Sequence, residues 1–170
     1  MTERRIEVQR AIAASPEAIF AVVSSPAGHV AIDASGMLMW AEGEPATAVG
    51  DRFQVHMDRD ALRDFDMGEY EVTVVIRTFA ADREIAWGIE GVLDPPIGHV
   101  YGYRLEPVDG GTMVTSYYDW SNLHEQYESV ADTLFPVISE KSLLGTLGIL
   151  ARTVAPGKSR PGAKTTARDS

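Results

Sequence analysis

Residues 6–20 read IEVQRAIAASPEAIF and join a strand directly to the start of a helix. In the first part, Ile6, Val8 and Ile12 alternate with mostly polar residues. A period of two is typical of a strand with one buried face, so the pattern predicts a strand over about Glu3 to Ala13.

The second part of the stretch carries a helix start signal. Ser15 has the side chain of a good N-cap, and Pro16 suits the first helical position. The same pair recurs at Ser25 and Pro26, where the second proline prevents one continuous helix. We therefore predict two short helices, over about 16–24 and 26–33.

After Gly36 the sequence alternates in the manner of strands as far as Trp120. The clearest segment places Tyr70, Val72 and Val74 on one face. Asp109-Gly110-Gly111 favours a tight hairpin turn between the last two strands. Six further strands are predicted, over residues 37–44, 50–58, 68–79, 83–89, 98–106 and 112–120.

The C-terminal third returns to helical spacing of leucines and isoleucines. We predict one long helix that begins between Leu134 and Ile138, has Pro136 near its first turn, and ends at Pro156-Gly157. Residues 1–155 then form a single domain. Residues 156–170 are polar, with four basic residues and one acidic residue, and are predicted to be a disordered basic tail.

Composition limits the classes of function. The chain has 170 residues, a net charge of −10 and no cysteine. An acidic body argues against nucleic-acid binding, and the absence of cysteine is compatible with a reducing cytoplasm. We predict a cytoplasmic protein with no export signal and no membrane span.

Motifs for several kinds of chemistry are missing from the sequence. The patterns of hydrolases, nucleotide-binding proteins and zinc proteases are absent, and the four histidines have no second metal ligand at helical or strand spacing. No cofactor and no metal site are therefore predicted.

Three segments resemble the START-like superfamily (SRPBCC), in particular its polyketide cyclase/dehydrase-like branch. They are the opening Ile6–Phe20, the piece Gly50–Phe53, and Tyr101–Pro107 followed by Gly110–Thr112. The resemblance covers roughly residues 3–154. It implies an α+β helix-grip fold, in which a curved seven-stranded antiparallel sheet wraps around a long C-terminal helix and two short helices follow the first strand.

A curved sheet that meets a helix at its edges implies a cavity between the two, and strand parity predicts an apolar and aromatic wall. Such walls suit a hydrophobic or polycyclic small molecule. The predicted ligand-binding residues are Phe53, Val55, Met57, Tyr70, Val72, Val74, Ile85, Trp87, Tyr101 and Tyr103, with Leu143 and Leu147 on the helix.

Polar residues on the same strand faces leave enzyme activity open. His99 shares a predicted face with Tyr101, and Tyr118 and Asp119 lie on the last strand, where the inward side is ambiguous. A base and a hydrogen-bond donor suffice to steer a cyclisation and dehydration. Three hypotheses therefore stand: a binding or carrier protein for a lipid, polyketide or other aromatic compound, a cyclase/dehydratase-type enzyme, and a ligand-free interaction module. A homodimer is compatible with each.

Overall fold

The computed structural model describes residues 3–164 and contains the strand and helix order that the sequence predicts. The strands are β1 (Arg5–Ile12), β2 (Leu38–Glu42), β3 (Arg52–Asp58), β4 (Glu69–Ala80), β5 (Glu84–Glu90), β6 (Val100–Val108) and β7 (Gly111–Asp119). The helices are α1 (Pro16–Val23), α2 (Pro26–Ile32), α3 (Ala131–Leu134) and α4 (Glu140–Val154). Short 3-10 turns occupy Asp60–Leu62 and Glu125–Val130.

All seven strands form one antiparallel sheet in the order β1-β7-β6-β5-β4-β3-β2. Consecutive strands from β2 to β7 are neighbours, and β1 closes the series by pairing with β7. The turn between β6 and β7 contains only Asp109 and Gly110, and the φ of 82° at Gly110 is one that glycine adopts without steric cost. The predicted seven-stranded antiparallel sheet is confirmed.

The two short helices begin where the serine-proline pairs predict. The hydroxyl oxygens of Ser15 and Ser25 accept hydrogen bonds from the backbone N–H groups of Ala18 and Gly28. These contacts satisfy donors that a helix start leaves free.

The C-terminal helix begins later than predicted, at Glu140, and α3 stands apart from it. Phe135 is extended, with φ −109° and ψ 145°, because the ring of Pro136 crowds the helical conformation of the residue before it. Pro136 therefore lies in the break between α3 and α4, which corrects its predicted place in the first turn. Ser139 caps the new start by accepting from the N–H of Ser142 at 3.1 Å.

The core lies between the concave face of the sheet and the helices. Helix α4 packs on β1 and β7 and against α1 and α2. Its buried residues are Leu143, Leu147 and Leu150. None of the helices in residues 3–164 has the length and hydropathy needed to cross a bilayer.

Residues 156–164 of the predicted tail form turns. The N–H of Lys158 donates to the carbonyl of Ala155, and the N–H of Ala163 donates to that of Arg160. Residues 165–170 lie outside the described part of the chain, so disorder of the tail stays a prediction.

Candidate functional site

The ten strand residues predicted to form the ligand wall lie on the concave face of the sheet, and Leu143 and Leu147 lie on α4 as predicted. Eight of the twelve are buried in the core: Phe53, Val55, Val72, Val74, Ile85, Tyr103, Leu143 and Leu147. The other four pack against the core but stay partly exposed: Met57, Tyr70, Trp87 and Tyr101. The accessible part of the face is therefore the part lined by these four.

Four aromatic side chains follow one another across the face from β5 to the end of β7. They are Trp87, Tyr101, Tyr118 and Trp120, and we call them the aromatic row. Successive ring centroids are 6.0, 4.7 and 5.3 Å apart. The row follows from strand register, because Tyr101 is the cross-strand partner of both Trp87 and Tyr118. Its Trp87 end is half-buried, whereas Tyr118 and Trp120 are buried.

His99 contacts the middle of this row. Its Nδ1 lies 2.7 Å from the hydroxyl of Tyr118, and both side chains are buried. Burial disfavours the charged imidazolium and lowers the pKa of His99 to about 4. The neutral ring and the Tyr118 hydroxyl share one hydrogen bond at Nδ1, and burial raises the pKa of that hydroxyl.

The hydroxyl of Tyr101 differs from that of Tyr118, because no described side chain or backbone group bonds to it. Arg10 Nε is the only fully buried side-chain polar atom without a partner in residues 3–164. The Tyr101 hydroxyl therefore reaches open space. Burial raises the pKa of the Tyr101 hydroxyl, and the charge of Arg59 partly opposes this effect. The hydroxyl therefore keeps its proton at neutral pH and can donate a hydrogen bond.

His29 is a site residue that the sequence analysis did not assign. It packs between Phe53 and Trp87, with ring centroids 5.1 and 4.5 Å away, and its Nε2–H donates to the carbonyl of Val23 at 2.7 Å. Burial lowers its pKa to about 4. Its position three residues from both Pro26 and Ile32, on one face of α2, is the sequence signal that indicates burial.

The close packing of α2 on α1 explains how His29 reaches Val23. A side chain at Gly28 would lie within 1.8 Å of the carbonyl oxygen of Val22. Only glycine permits this approach, which brings the His29 ring under the sheet.

Asp119 lies away from the other candidate groups. It shares the outer, convex face of β7 with Tyr117, and its carboxylate accepts from Arg5 at 3.0 Å and from Ser121. Burial raises the pKa of Asp119, but the hydrogen bonds from Ser121 and Arg5 outweigh it and lower the pKa below its ordinary value. The inward side of β7 thus belongs to Tyr118.

A pocket of about 310 Å³ lies at the end of β3 and β4, and it is lined by Met39, Met57 and Tyr70 together with the outward-facing Trp40, His56, Glu69 and Glu71. A second pocket, of about 140 Å³, lies between β1 and the end of α4, and its basic lining of Arg10, Arg152, Lys158 and Arg160 does not suit an apolar ligand. Neither pocket lies beneath Leu143 and Leu147. Those leucines pack into the core, so the predicted cavity beneath α4 is filled, and the accessible part of the face is the one that Met57, Tyr70, Trp87 and Tyr101 line.

Comparisons with known proteins support the fold through structure alone. No family model matches the chain, and no curated protein matches it in sequence. The AHSA1-like protein from Aeromonas hydrophila superposes with a TM-score of 0.60 at 18% identity, over 88% of this chain and 91% of that one.

Two further structures superpose with similar scores. The Aha1 dimer from Colwellia psychrerythraea gives a TM-score of 0.59 at 21% identity, over 94% of this chain and 100% of that one. The major latex-like protein from Panax ginseng gives 0.60 at 16% identity, over 89% and 97%. The chain therefore has the helix-grip fold, and these identities carry no more than the fold.

Proposed function

We propose that this protein binds or carries a hydrophobic small molecule against the open end of its concave face. The observation that carries the proposal is the half-buried end of the aromatic row, where Trp87 and Tyr101 present ring surface beside the unpartnered Tyr101 hydroxyl. Lipids, polyketides and other aromatic or polycyclic compounds fit this description.

The surface chemistry favours a ligand with an apolar body and one polar group. Aromatic side chains bury large areas at low cost in conformational entropy, and apolar sites fix orientation with few polar groups. The Tyr101 hydroxyl would donate to a carbonyl or hydroxyl oxygen of the ligand.

A cyclase/dehydratase-type activity, as in the polyketide cyclase/dehydrase-like branch, is the second candidate because His99 and Tyr118 lie 2.7 Å apart in the same face. At neutral pH, however, His99 is uncharged and its Nδ1 is already bonded to a fully buried hydroxyl. This arrangement orients the two rings and leaves Tyr101 as the group in reach of a ligand. We therefore rank binding above turnover.

Native mass spectrometry before and after organic extraction tests the proposal directly. A stoichiometric compound that co-purifies and is released by extraction would support the proposal and identify the chemical class of the ligand. A clean apo mass, together with no binding across a panel of hydrophobic fluorescent probes, would contradict it and favour the ligand-free interaction module.

A variant locates the site. Trp87→Ala is expected to weaken binding of anilinonaphthalene sulfonate by at least about tenfold, since loss of a buried aromatic contact removes about 1.5–3 kcal/mol. Leu144→Ala, which truncates an exposed apolar residue of α4, should leave the affinity unchanged. If Trp87→Ala remains folded by circular dichroism and binds as tightly as the parent, the aromatic row is not the binding surface.

Three broader predictions accompany this proposal. A cytoplasmic location is supported by the absence of cysteine, and a lack of nucleic-acid binding by the net charge of −10. A homodimer is kept as a hypothesis, since the Colwellia psychrerythraea relative in fold is described as a dimer.

A further inference from the structure

A cluster on the outer face of the sheet takes no part in the proposed hydrophobic site. Glu42 of β2, His56 of β3 and Glu71 of β4 come together there, and we call them the Glu-His-Glu cluster. His56 is the cross-strand partner of Glu71, and it points outward because its neighbours Val55 and Met57 pack toward the core. Strand register therefore fixes the three positions on one face.

The distances within the cluster are those of a metal-ligand set. His56 Nε2 lies 3.2 Å from Glu42 Oε2 and 3.4 Å from Glu71 Oε2, and one ligand atom from each residue lies within 4.8 Å of the others. Zinc bonds to nitrogen and carboxylate oxygen are about 2.0–2.2 Å long, so two ligands at a tetrahedral angle are about 3.4 Å apart. The two nitrogen-oxygen distances in the cluster are close to this separation between ligands.

Trp40 holds the imidazole in place. Its ring stacks on that of His56 with centroids 3.5 Å apart and planes within 5°. A ring held in this way keeps Nε2 directed at the two carboxylates, and a site whose ligands are fixed loses less conformational entropy on binding.

The cluster also leaves space for further ligands. His56 and Glu71 line the 310 Å³ pocket, and the carboxylate-bearing Glu69 lines it as well. An ion held by three protein ligands therefore has room for water or another ligand at a fourth position, as in open zinc sites.

We propose that Glu42, His56 and Glu71 bind a divalent transition-metal ion, for which zinc is the best match. One imidazole nitrogen and two carboxylate oxygens are ligands that zinc and copper accept. The ion would also neutralise two carboxylates held close together in a chain with a net charge of −10. This proposal revises the sequence-based prediction of no metal site, which considered spacing along the chain and not across strands.

The ordinary alternative is a metal-free contact of His56 with the two carboxylates, and metal titration distinguishes this contact from a metal site. After treatment with a chelator, isothermal titration calorimetry with Zn²⁺ should show one ion per chain with a micromolar dissociation constant. His56→Gln and Glu71→Gln should each weaken binding by at least about tenfold, since each removes one ligand atom. His124→Gln, which alters an exposed histidine elsewhere, should bind as the parent does.

Trp40 supplies a second, independent readout. Cu²⁺ bound at His56 should quench the fluorescence of the tryptophan stacked on that ring. Trp40→Phe should lose this quenching and keep stoichiometric Zn²⁺ binding, because Trp40 supplies no ligand atom.

The proposal is overturned by an absence of Zn²⁺ binding in the micromolar range, or by binding that neither His56→Gln nor Glu71→Gln weakens. Both residues lie on the outer face of the sheet, and circular dichroism checks that each variant is folded. These variants should bind hydrophobic probes as the parent does, so the outcomes for the metal site and for the concave face are separate.

Discussion

The hydroxyl groups of Tyr101 and Tyr118 differ in what they contact, although their rings are adjacent. The Tyr118 hydroxyl is hydrogen-bonded to Nδ1 of buried His99, whereas no described group bonds to the Tyr101 hydroxyl. Removing one partner of a buried hydrogen bond costs more than the bond contributes, since the other partner stays desolvated. Removing a hydroxyl that reaches open space carries no such cost.

Tyr118→Phe is therefore expected to lower the free energy of unfolding by about 1–3 kcal/mol, because it leaves the buried His99 Nδ1 without its hydrogen-bond partner. Tyr101→Phe should change it by less than about 0.5 kcal/mol. Urea denaturation of the two variants provides the comparison. Equal effects of the two substitutions would contradict the assigned hydrogen bond.

The same residues show which part of the site alternation along a strand can predict and which part depends on the pairing between strands. Alternation with Tyr101 and Tyr103 is enough to predict that His99 points inward, and the structure places it there. The partner of His99 depends on the register between β6 and β7, which pairs Tyr101 with Tyr118. That register is set by a turn of two residues, Asp109 and Gly110, and the sequence Asp109-Gly110-Gly111 alone does not show which of its residues form the turn. Register across β2, β3 and β4 likewise assembles the Glu-His-Glu cluster from residues 42, 56 and 71.

At the scale of elements, α4 depends on its start signal. Ser139 accepts a hydrogen bond from the N–H of Ser142, and the preceding Pro136 separates α4 from α3. This start positions Leu143 and Leu147, which bury the helix against the core.

Ser139→Ala is expected to lower the free energy of unfolding by about 1 kcal/mol, the usual cost of losing an N-cap. Ser159→Ala is the matched control, since Ser159 is exposed and its hydroxyl makes no hydrogen bond among residues 3–164. Thermal or urea denaturation measures both. An unchanged stability in Ser139→Ala would mean that solvent caps the helix equally well.

The difference between the predicted and observed start of α4 has a local cause. Apolar spacing continues across Leu134 and Ile138, so periodicity alone extends the helix over both. Pro136 keeps Phe135 extended and so prevents one continuous helix across Leu134 and Ile138. From the sequence alone Pro136 fits a first helical turn equally well, because proline is common there. The serine-proline pairs at 15–16 and 25–26 were unambiguous because a capping side chain directly precedes each proline, which fixes the helix start.

At the scale of the whole molecule, stability depends on two histidines that are buried without charge. Both His29 and His99 have a pKa near 4 in the folded protein, because burial disfavours their charged forms. Their ordinary pKa is about 6.5. As the pH falls below that value, the unfolded chain takes up protons that the folded protein does not, and the folded state loses stability.

This stability is fully present above about pH 6.5 and is lost as the pH falls toward 4. At about pH 5 each histidine contributes a loss of about 2 kcal/mol, so we expect the free energy of unfolding to fall by about 2–4 kcal/mol between pH 7 and pH 5. Urea denaturation at the two pH values measures the change. Glu7 and Asp119 add little in this window, because their pKa values are lowered from 4.5 and 3.8.

Two variants assign the effect to the buried rings. His99→Gln should reduce the loss between pH 7 and pH 5 by about half, because one of the two contributing groups is gone. Ser159→Ala should leave the loss as it is, since it removes no titratable group and Ser159 is exposed. Equal stability of the parent at both pH values would contradict the prediction, because it would mean that His29 and His99 take up protons inside the folded protein. Burial opposes this uptake, since the ring of His29 packs against Trp87 and the ring of His99 is hydrogen-bonded to Tyr118.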